Sequence, residues 1–417
     1  MQQSNAWQPA LAGTTASAWW VGFGLVVGVM GAALISPLYA LYQQAWGLRA
    51  SDISLIYVLY MCGGLCALLF LGRLPDRIGF QRVMLCFLLL TLAGTLISML
   101  AWNLPSLIVG RFMVGVSSSL ITISATTGLT VLAASGSAGL STQRVAMVAS
   151  FLNVLGFGIG PLIGGMAGQW LPQPLMTAYI APLLLGCVGV AAIAVLKLPA
   201  GSAAPTRLRW QDCMPRLTWP ARSDSMAFVL TCGYPFVAFG VFGLYASMAP
   251  LFLQQMIPWH GPVVSGTAIA VILLVSAGIQ LVAARLPLHR CGALGMLALV
   301  LSNGMLVLNL KMASTTLFVL GVSLTALGHG MCMLAGMTMV GRIAKPENRS
   351  GMLSTYQVIG LLGSMLPMMA VGWIADHWGI NMAVTVFACF VMTLGSVLGL
   401  AFFRHPRMRS PLPHRPA

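Results

Sequence analysis

The sequence predicts an all-α integral membrane protein: twelve transmembrane helices arranged as two pseudo-symmetric six-helix bundles. Three observations predict it. The chain of 417 residues is 59% hydrophobic and only 6% charged, with a mean hydropathy of +0.92, whereas a soluble domain carries about 25% charged residues. Its apolar residues gather into runs long enough to cross a bilayer, which takes about 20 residues. Short motifs of the first half also return, in the same order, in the second.

Twelve runs are read at 18–42, 53–72, 83–102, 105–132, 144–169, 174–196, 225–254, 262–284, 292–310, 315–341, 351–374 and 380–403. They are too long and too uniformly apolar for barrel strands, which run to about 10 residues and alternate. Helices are therefore the spanning form. The first run follows 17 residues without Lys or Arg and reads as a retained helix rather than a cleaved signal peptide. Residues 1–197 form the first half and 225–403 the second. Between them, 198–224 is the one long polar connection, a cytoplasmic linker with Pro205, Pro215, Pro220, Arg207, Arg209, Arg216 and Arg222. Trp210 and Trp219 suggest that it lies on the membrane surface. Residues 404–417 are a basic cytoplasmic tail with four prolines, which reads as disordered and close to lipid.

Charge sets the orientation. With a cytoplasmic N-terminus, eighteen of the 21 Lys and Arg fall on the cytoplasmic side; Arg49 and Lys311 fall outside, and Arg111 lies within a span. This is the positive-inside pattern of a multi-pass protein of the plasma (inner) membrane with both termini cytoplasmic. The net charge of +15 then describes topology and attraction to anionic lipid. Spread over loops with no nucleic-acid module, it does not argue for a nucleic-acid partner. Trp19, Trp20, Trp46, Trp102, Trp170, Trp259, Trp373 and Trp378 cluster at span ends, where amphipathic rings meet the headgroups. Cys62 and Cys66 stand one turn apart, but no His or carboxylate accompanies them, so no metal is expected. No cofactor is expected either. The chain has no Walker A sequence, GxSxG, HExxH or paired carboxylates, which excludes direct use of ATP and argues against an enzyme.

The internal repeat is specific. Gly72-Arg73-Leu74-Pro75 returns as Ala284-Arg285-Leu286-Pro287, and Arg144-x-x-Met147 as Arg349-x-x-Met352, at spacings of 212 and 205 residues. Duplicated six-helix halves are an architecture of secondary transporters. Three motifs of the first half carry more. The loop after the second span concentrates Gly72, Asp76, Arg77, Gly79 and Arg82 between two apolar runs. The fourth span holds Gly110-Arg111-Phe112-Met113-Val114-Gly115. An arginine inside a span costs about 2.5–3.5 kcal/mol on insertion scales, so it should face a cavity or a polar partner, or snorkel outward from near its helix end. The fifth span holds Gly156-x-Gly158-x-Gly160-Pro161-x-x-Gly164-Gly165. Gly156, Gly160 and Gly164 share a face that permits close packing, and Pro161 adds a bend.

In these motifs, and in span count, linker and repeat, the chain resembles the major facilitator superfamily, in particular its bacterial twelve-helix antiporter and exporter branch. The family loop pattern Gly-x-Leu-Ala-Asp-Arg-x-Gly-Arg-Arg is met at Gly72, Leu74, Asp76, Arg77 and Gly79, with Pro75 in place of the small residue and Arg82 as a later basic residue. The resemblance implies that Asp76 is a conformational latch, pairing in one state with a basic group or with the N-terminus of a facing helix. In the second-half copy Leu288 stands where the aspartate would be, so the latch is one-sided. The glycine motif resembles one associated with antiporters.

The resemblance also implies a substrate site near the midplane, lined from the first, fourth, seventh and tenth spans. Ser36, Tyr39, Arg111, Ser118, Thr122, Tyr234, Tyr245, Thr325, His329 and Met333 are the polar or adaptable side chains there, with Tyr39, Tyr234, Tyr245 and His329 the foremost candidates. None of the six acids, Asp52, Asp76, Asp212, Asp224, Glu347 and Asp376, lies deep in a span. Asp52 and His329 are the groups left to titrate. The expectation is a monomeric secondary transporter within the lipid bilayer, exporting a small neutral or anionic organic compound by alternating access with protons as the coupling ion. Symport or facilitated uptake of a small organic anion and multidrug efflux are the alternatives.

Overall fold

The computed structural model describes residues 8–135, 142–196, 213–215, 217–258, 261–345 and 348–409. Among them are twelve helices long and apolar enough to cross a membrane, and no strand. They are α1 Ser17–Trp46, α2 Ala50–Leu71, α3 Phe80–Met99, α4 Leu104–Ala134, α5 Arg144–Trp170, α6 Pro174–Ala194, α7 Arg222–Leu253, α8 Pro262–Ala283, α9 Leu288–Met312, α10 Thr315–Ile343, α11 Arg349–Trp378 and α12 Ile380–Arg404. Several begin a few residues before the apolar run, because the first turn of a helix tolerates polar side chains that hydropathy discounts.

The chain divides into two compact units. One comprises Met1–Trp46 and Leu59–Pro215, the other Gly47–Val58 and Arg216–Ala417. The division falls inside α2, which gives its first residues to the second unit and the rest to the first. The linker position alone does not announce this.

In the first unit, α1 is interrupted. It runs as α-helix to Ala33, tightens into a 3₁₀ turn at Ser36–Leu38 and resumes at Tyr39–Trp46. Pro37 supplies the reason: it has no N–H to donate back along the helix and disfavours α geometry in the residue before it. α5 lies along α1 through glycines. Gly156, Gly160 and Gly164 face the carbonyls of Val26, Met30 and Leu34, so steps of four residues on one helix match steps of four on the other. Any side chain at these glycines would meet backbone. The apolar core below is built from Val21, Leu25, Phe80, Met84, Ile121 and Ile193.

In the second unit the same pair of helices, first and fifth of the half, is again joined by glycine. Gly363 of α11 abuts the Phe236 backbone of α7, and Gly360 abuts Phe239 and Pro235. Phe228, Cys232, Val340, Met352 and Tyr356 close a core at the polar-linker end of this unit.

Two peripheral segments are better anchored than their composition suggests. Of the linker, 197–212 and 216 lie outside the described residues, Trp210 among them. Thr218 donates its N–H to Thr355 Oγ1 at 3.1 Å. Trp219 donates its indole N–H to Ser225 Oγ at 2.8 Å and meets Phe228 edge-on. The tail corrects the expectation of disorder as far as it is described. Pro406–Arg409 forms a helical turn, Met408 is buried, and Arg407 pairs with Asp224 at 2.9 Å. Pro406 opens that turn, where a missing N–H is harmless. Residues 410–417 lie outside the described residues. Trp102, Trp170, Trp373 and Trp378 are exposed at or next to helix ends, Trp19 and Trp20 are exposed within the helix Gln8–Ala33, and Trp46 is half-buried; Trp259 lies outside the described residues.

Candidate functional site

The loop after α2 is a small built element. Five residues of π-helix, Ala67–Leu71, end α2. The short helix Leu74–Ile78 follows, opened by buried Pro75 near its start. Gly79 then turns the chain at φ +92°, a conformation that side chains disfavour. Asp76 is exposed in the first turn of the short helix and forms no ion pair among the described residues. Gly72 and Arg77 are half-buried and Arg82 is exposed. Gln81 ties the start of α3 to the end of α6 by donating to the carbonyls of Ile193 and Leu196, both at 2.9 Å. The second-half copy forms no such short helix: Pro287 directly caps α9 at Leu288.

Arg111 is 1% exposed, so it does not snorkel outward. Its guanidinium donates to the Gly31 carbonyl at 2.9 Å and to the Ala32 carbonyl, just before the break in α1. Carbonyls at a helix C-terminus carry partial negative charge, and Pro37 is what ends the helix there. The guanidinium also sits 4.8 Å from the centre of the Tyr60 ring, a cation–π contact. Its Nε has no hydrogen-bond partner among the described residues. Tyr60 lies beside Ser118, and the hydroxyls of Tyr42 and Tyr179 meet at 3.0 Å. Tyr39, Tyr42, Tyr60 and Tyr179 are all buried and lie close enough to feel the arginine charge. The chain has only eight tyrosines, so half of them collect here. Sequence reading found Tyr39 and missed the other three, which arrive from α1, α2 and the start of α6.

The second unit holds a different site. His329 is the middle residue of α10 and is 7% exposed. Its Nδ1 shares a 2.8 Å hydrogen bond with Ser276 Oγ of α8. Phe239 and Phe242 of α7 flank the imidazole, each with its ring centre 5.9 Å away. Nε2 has no partner. One turn earlier, Thr325 is buried beside Tyr245, and its Oγ1 reaches no hydrogen bond of good geometry. Tyr245 and Thr325 thus stand one turn from His329. Tyr234 is not with them. Its ring packs on Phe402 of α12 at 4.4 Å, and its hydroxyl lies beside Gly292 of α9. It fills the helix-packing interior because glycine at 292 leaves room for it.

A third arrangement was not foreseen. Along the start of α2, Ser51, Ser54 and Tyr57 recur every three residues and meet α11 in order. The Ser51 N–H donates to Asp376 at 3.2 Å, Ser54 Oγ to the Met368 carbonyl at 2.8 Å, and the Tyr57 and Ser364 hydroxyls meet at 2.5 Å. Gly372 leaves space for Ser54 between them. The glycines of the α5 motif, by contrast, serve the contact with α1 described above, and Pro161 is buried within that helix.

Twelve helices of membrane-crossing length, with the first and fifth of each half joined through glycine, match an architecture of secondary transporters. The sequence profile of the Major Facilitator Superfamily matches residues 21–308 and 287–417, and the chain belongs to that superfamily. It is an integral multi-pass membrane protein. It is 33% identical over 92 residues to the uridine/deoxyuridine transporter of Lactococcus lactis, a match covering 22% of this chain and 19% of that one. Solved structures share the fold at low identity. A bacterial homologue of the human lysosomal transporter Spinster aligns over 99% of this chain and 100% of its own, at 14% identity and a TM-score of 0.70. A variant of the peptide transporter POT aligns over 98% and 97%, at 13% identity and 0.77. A variant of the nucleoside transporter NupG aligns over 93% and 100%, at 10% and 0.73.

Proposed function

We propose that this transporter moves a small neutral or anionic organic solute by alternating access, driven by the proton gradient and directed outward across the plasma membrane. The observation that carries the solute class is Arg111. It is buried, and its charge is balanced by backbone carbonyls and an aromatic face rather than by a carboxylate. An anionic or carbonyl-bearing solute can approach it without displacing an acid, whereas a cation meets only repulsion. The acids support the same reading: Asp52 and Asp376 stand at helix ends, Asp76 in the short helix after α2, and Asp224 is paired with Arg407. The outward direction and the proton coupling rest on the glycine motif of α5. The positive charges favour cytoplasmic termini, and the chain is proposed to act as a monomer.

The test is flux into proteoliposomes under an imposed pH gradient, comparing organic acids and uridine with lipophilic cations. Gradient-driven flux of an acid or of uridine, abolished in Arg111→Ala, is expected. Flux of cations alone would overturn the solute class, and flux indifferent to the gradient would overturn the coupling. The local match to a uridine/deoxyuridine transporter favours a second reading in which the neutral solute is a nucleoside.

A further inference from the structure

We propose that the second unit carries its own recognition subsite for a neutral planar ring bearing carbonyl and N–H groups along one edge, read by Thr325 and His329. The inference rests on the transporter reading above and specifies its solute.

Thr325 and His329 are four residues apart, so they lie on the same face of α10, about 5–6 Å from Cβ to Cβ. Each presents a buried polar atom: among the described residues His329 Nε2 has no hydrogen-bond partner, and Thr325 Oγ1, with Tyr245 beside it, has none of good geometry. Most buried polar atoms in native proteins are satisfied, and an exception calls for an explanation. Two on adjacent turns of one face, at the midpoint of a membrane helix, are where a transported solute is bound in transporters. The other edge of the imidazole is fixed: Ser276 holds Nδ1 at 2.8 Å, which orients the ring and leaves Nε2 for a ligand.

The walls give the ligand its shape. Phe239 and Phe242 flank the imidazole, and Tyr245 stands beside Thr325. Ser276, Phe239 and Phe242, which pack against His329 among the described residues, are all uncharged. An aromatic surround with two hydrogen-bonding atoms about one helical turn apart suits a flat ring with both an acceptor and a donor on its edge. A hydroxyl accepts and donates, so Thr325 can answer either group; Nε2 supplies one partner whichever tautomer Ser276 selects. A flat ring with a lone carboxylate offers no donor and fits less well.

The experiment uses the full chain in proteoliposomes with uridine as the neutral ring and benzoate as the flat anion. Thr325→Val and His329→Gln are compared with wild type for KM, kcat, gradient dependence and thermal midpoint. The expected result is a rise of about tenfold in the KM for uridine in each variant. The dependence on the pH gradient should be kept, and the benzoate KM should change less. Thr325→Val should hold its thermal midpoint, since the hydroxyl it removes makes no good internal bond. That outcome separates recognition from folding. An unchanged uridine KM in a stable Thr325→Val overturns the proposal, as does loss of gradient dependence without a change in KM in His329→Gln, which would make the histidine a proton carrier. Benzoate flux lost in Arg111→Ala, with uridine neither bound nor moved by wild type, would sink the subsite while leaving the transporter reading intact. Failure of wild type to move any solute would sink both.

Discussion

Arg111 shows how a charge can be kept inside a membrane helix without an acid. Two backbone carbonyls and one aromatic face receive it, and the carbonyls are positioned because α1 breaks at Pro37. A lysine keeps the charge but presents a compact ammonium rather than a planar fork. Arg111→Lys should leave one of the two carbonyls poorly bonded and lower stability by about 1–3 kcal/mol. Thermal unfolding in detergent measures this, and an unchanged midpoint would mean that the fork is not structural. Asp76 is the opposite case, an exposed acid with no ion pair among the described residues. We propose that Asp76 is a latch acting in another state, by a charge–dipole attraction of about 0.3–1 kcal/mol. Asp76→Asn should therefore slow transport several-fold at equal protein level. Transport at the wild-type rate would remove the latch. The arginine was legible in the sequence because a charge in an apolar run is conspicuous. Its tyrosine surround was not, because Tyr42, Tyr60 and Tyr179 come from segments whose convergence depends on helix packing.

Among the elements, helix length and order follow from hydropathy, since the bilayer requires about 20 apolar residues per crossing. What hydropathy does not contain is how each helix is interrupted. The 3₁₀ turn in α1 was foreshadowed by Pro37, and the short helix after α2 by Pro75 with Gly79. The π-helical end of α2 carries no proline or glycine signal at all, only Ala67-Leu68-Leu69-Phe70-Leu71. The α5 motif illustrates a pattern that was legible while its meaning was divided. Gly156, Gly160 and Gly164 lie against α1 carbonyls, a packing role that needs no appeal to antiport. Gly160→Ala places a methyl against the Met30 carbonyl, and overpacking of this kind costs about 1–3 kcal/mol. The thermal midpoint and the transport rate should fall together. Lost gradient dependence at an unchanged midpoint would instead assign the motif to coupling.

At the scale of the whole molecule, the repeat of two halves was legible from the returning Arg-Leu-Pro and Arg-x-x-Met motifs. The division inside α2 was not, since nothing at Val58-Leu59 marks a boundary. The residues that α2 gives to the second unit include Ser51, Ser54 and Tyr57, which form a polar ladder with α11. Hydrogen bonds like these are worth about 0.5–1.5 kcal/mol each in net terms, enough together to bias a state and weak enough to be released in a transport cycle. Alternating access requires such release if the start of α2 moves with the rest of its helix in one state and with the second unit in another. A cysteine pair tests this directly. A Cβ built on Gly372 would stand 2.8 Å from Ser54 Cβ, so Ser54→Cys with Gly372→Cys, in a background lacking the nine native cysteines, should cross-link on mild oxidation after a small local adjustment. Flux should stop in the oxidised protein and return on reduction, while binding of a transported solute survives in both. Undiminished flux through the cross-linked protein would mean that α2 never leaves α11, and the ladder would then be a fixed part of the second unit rather than a gate.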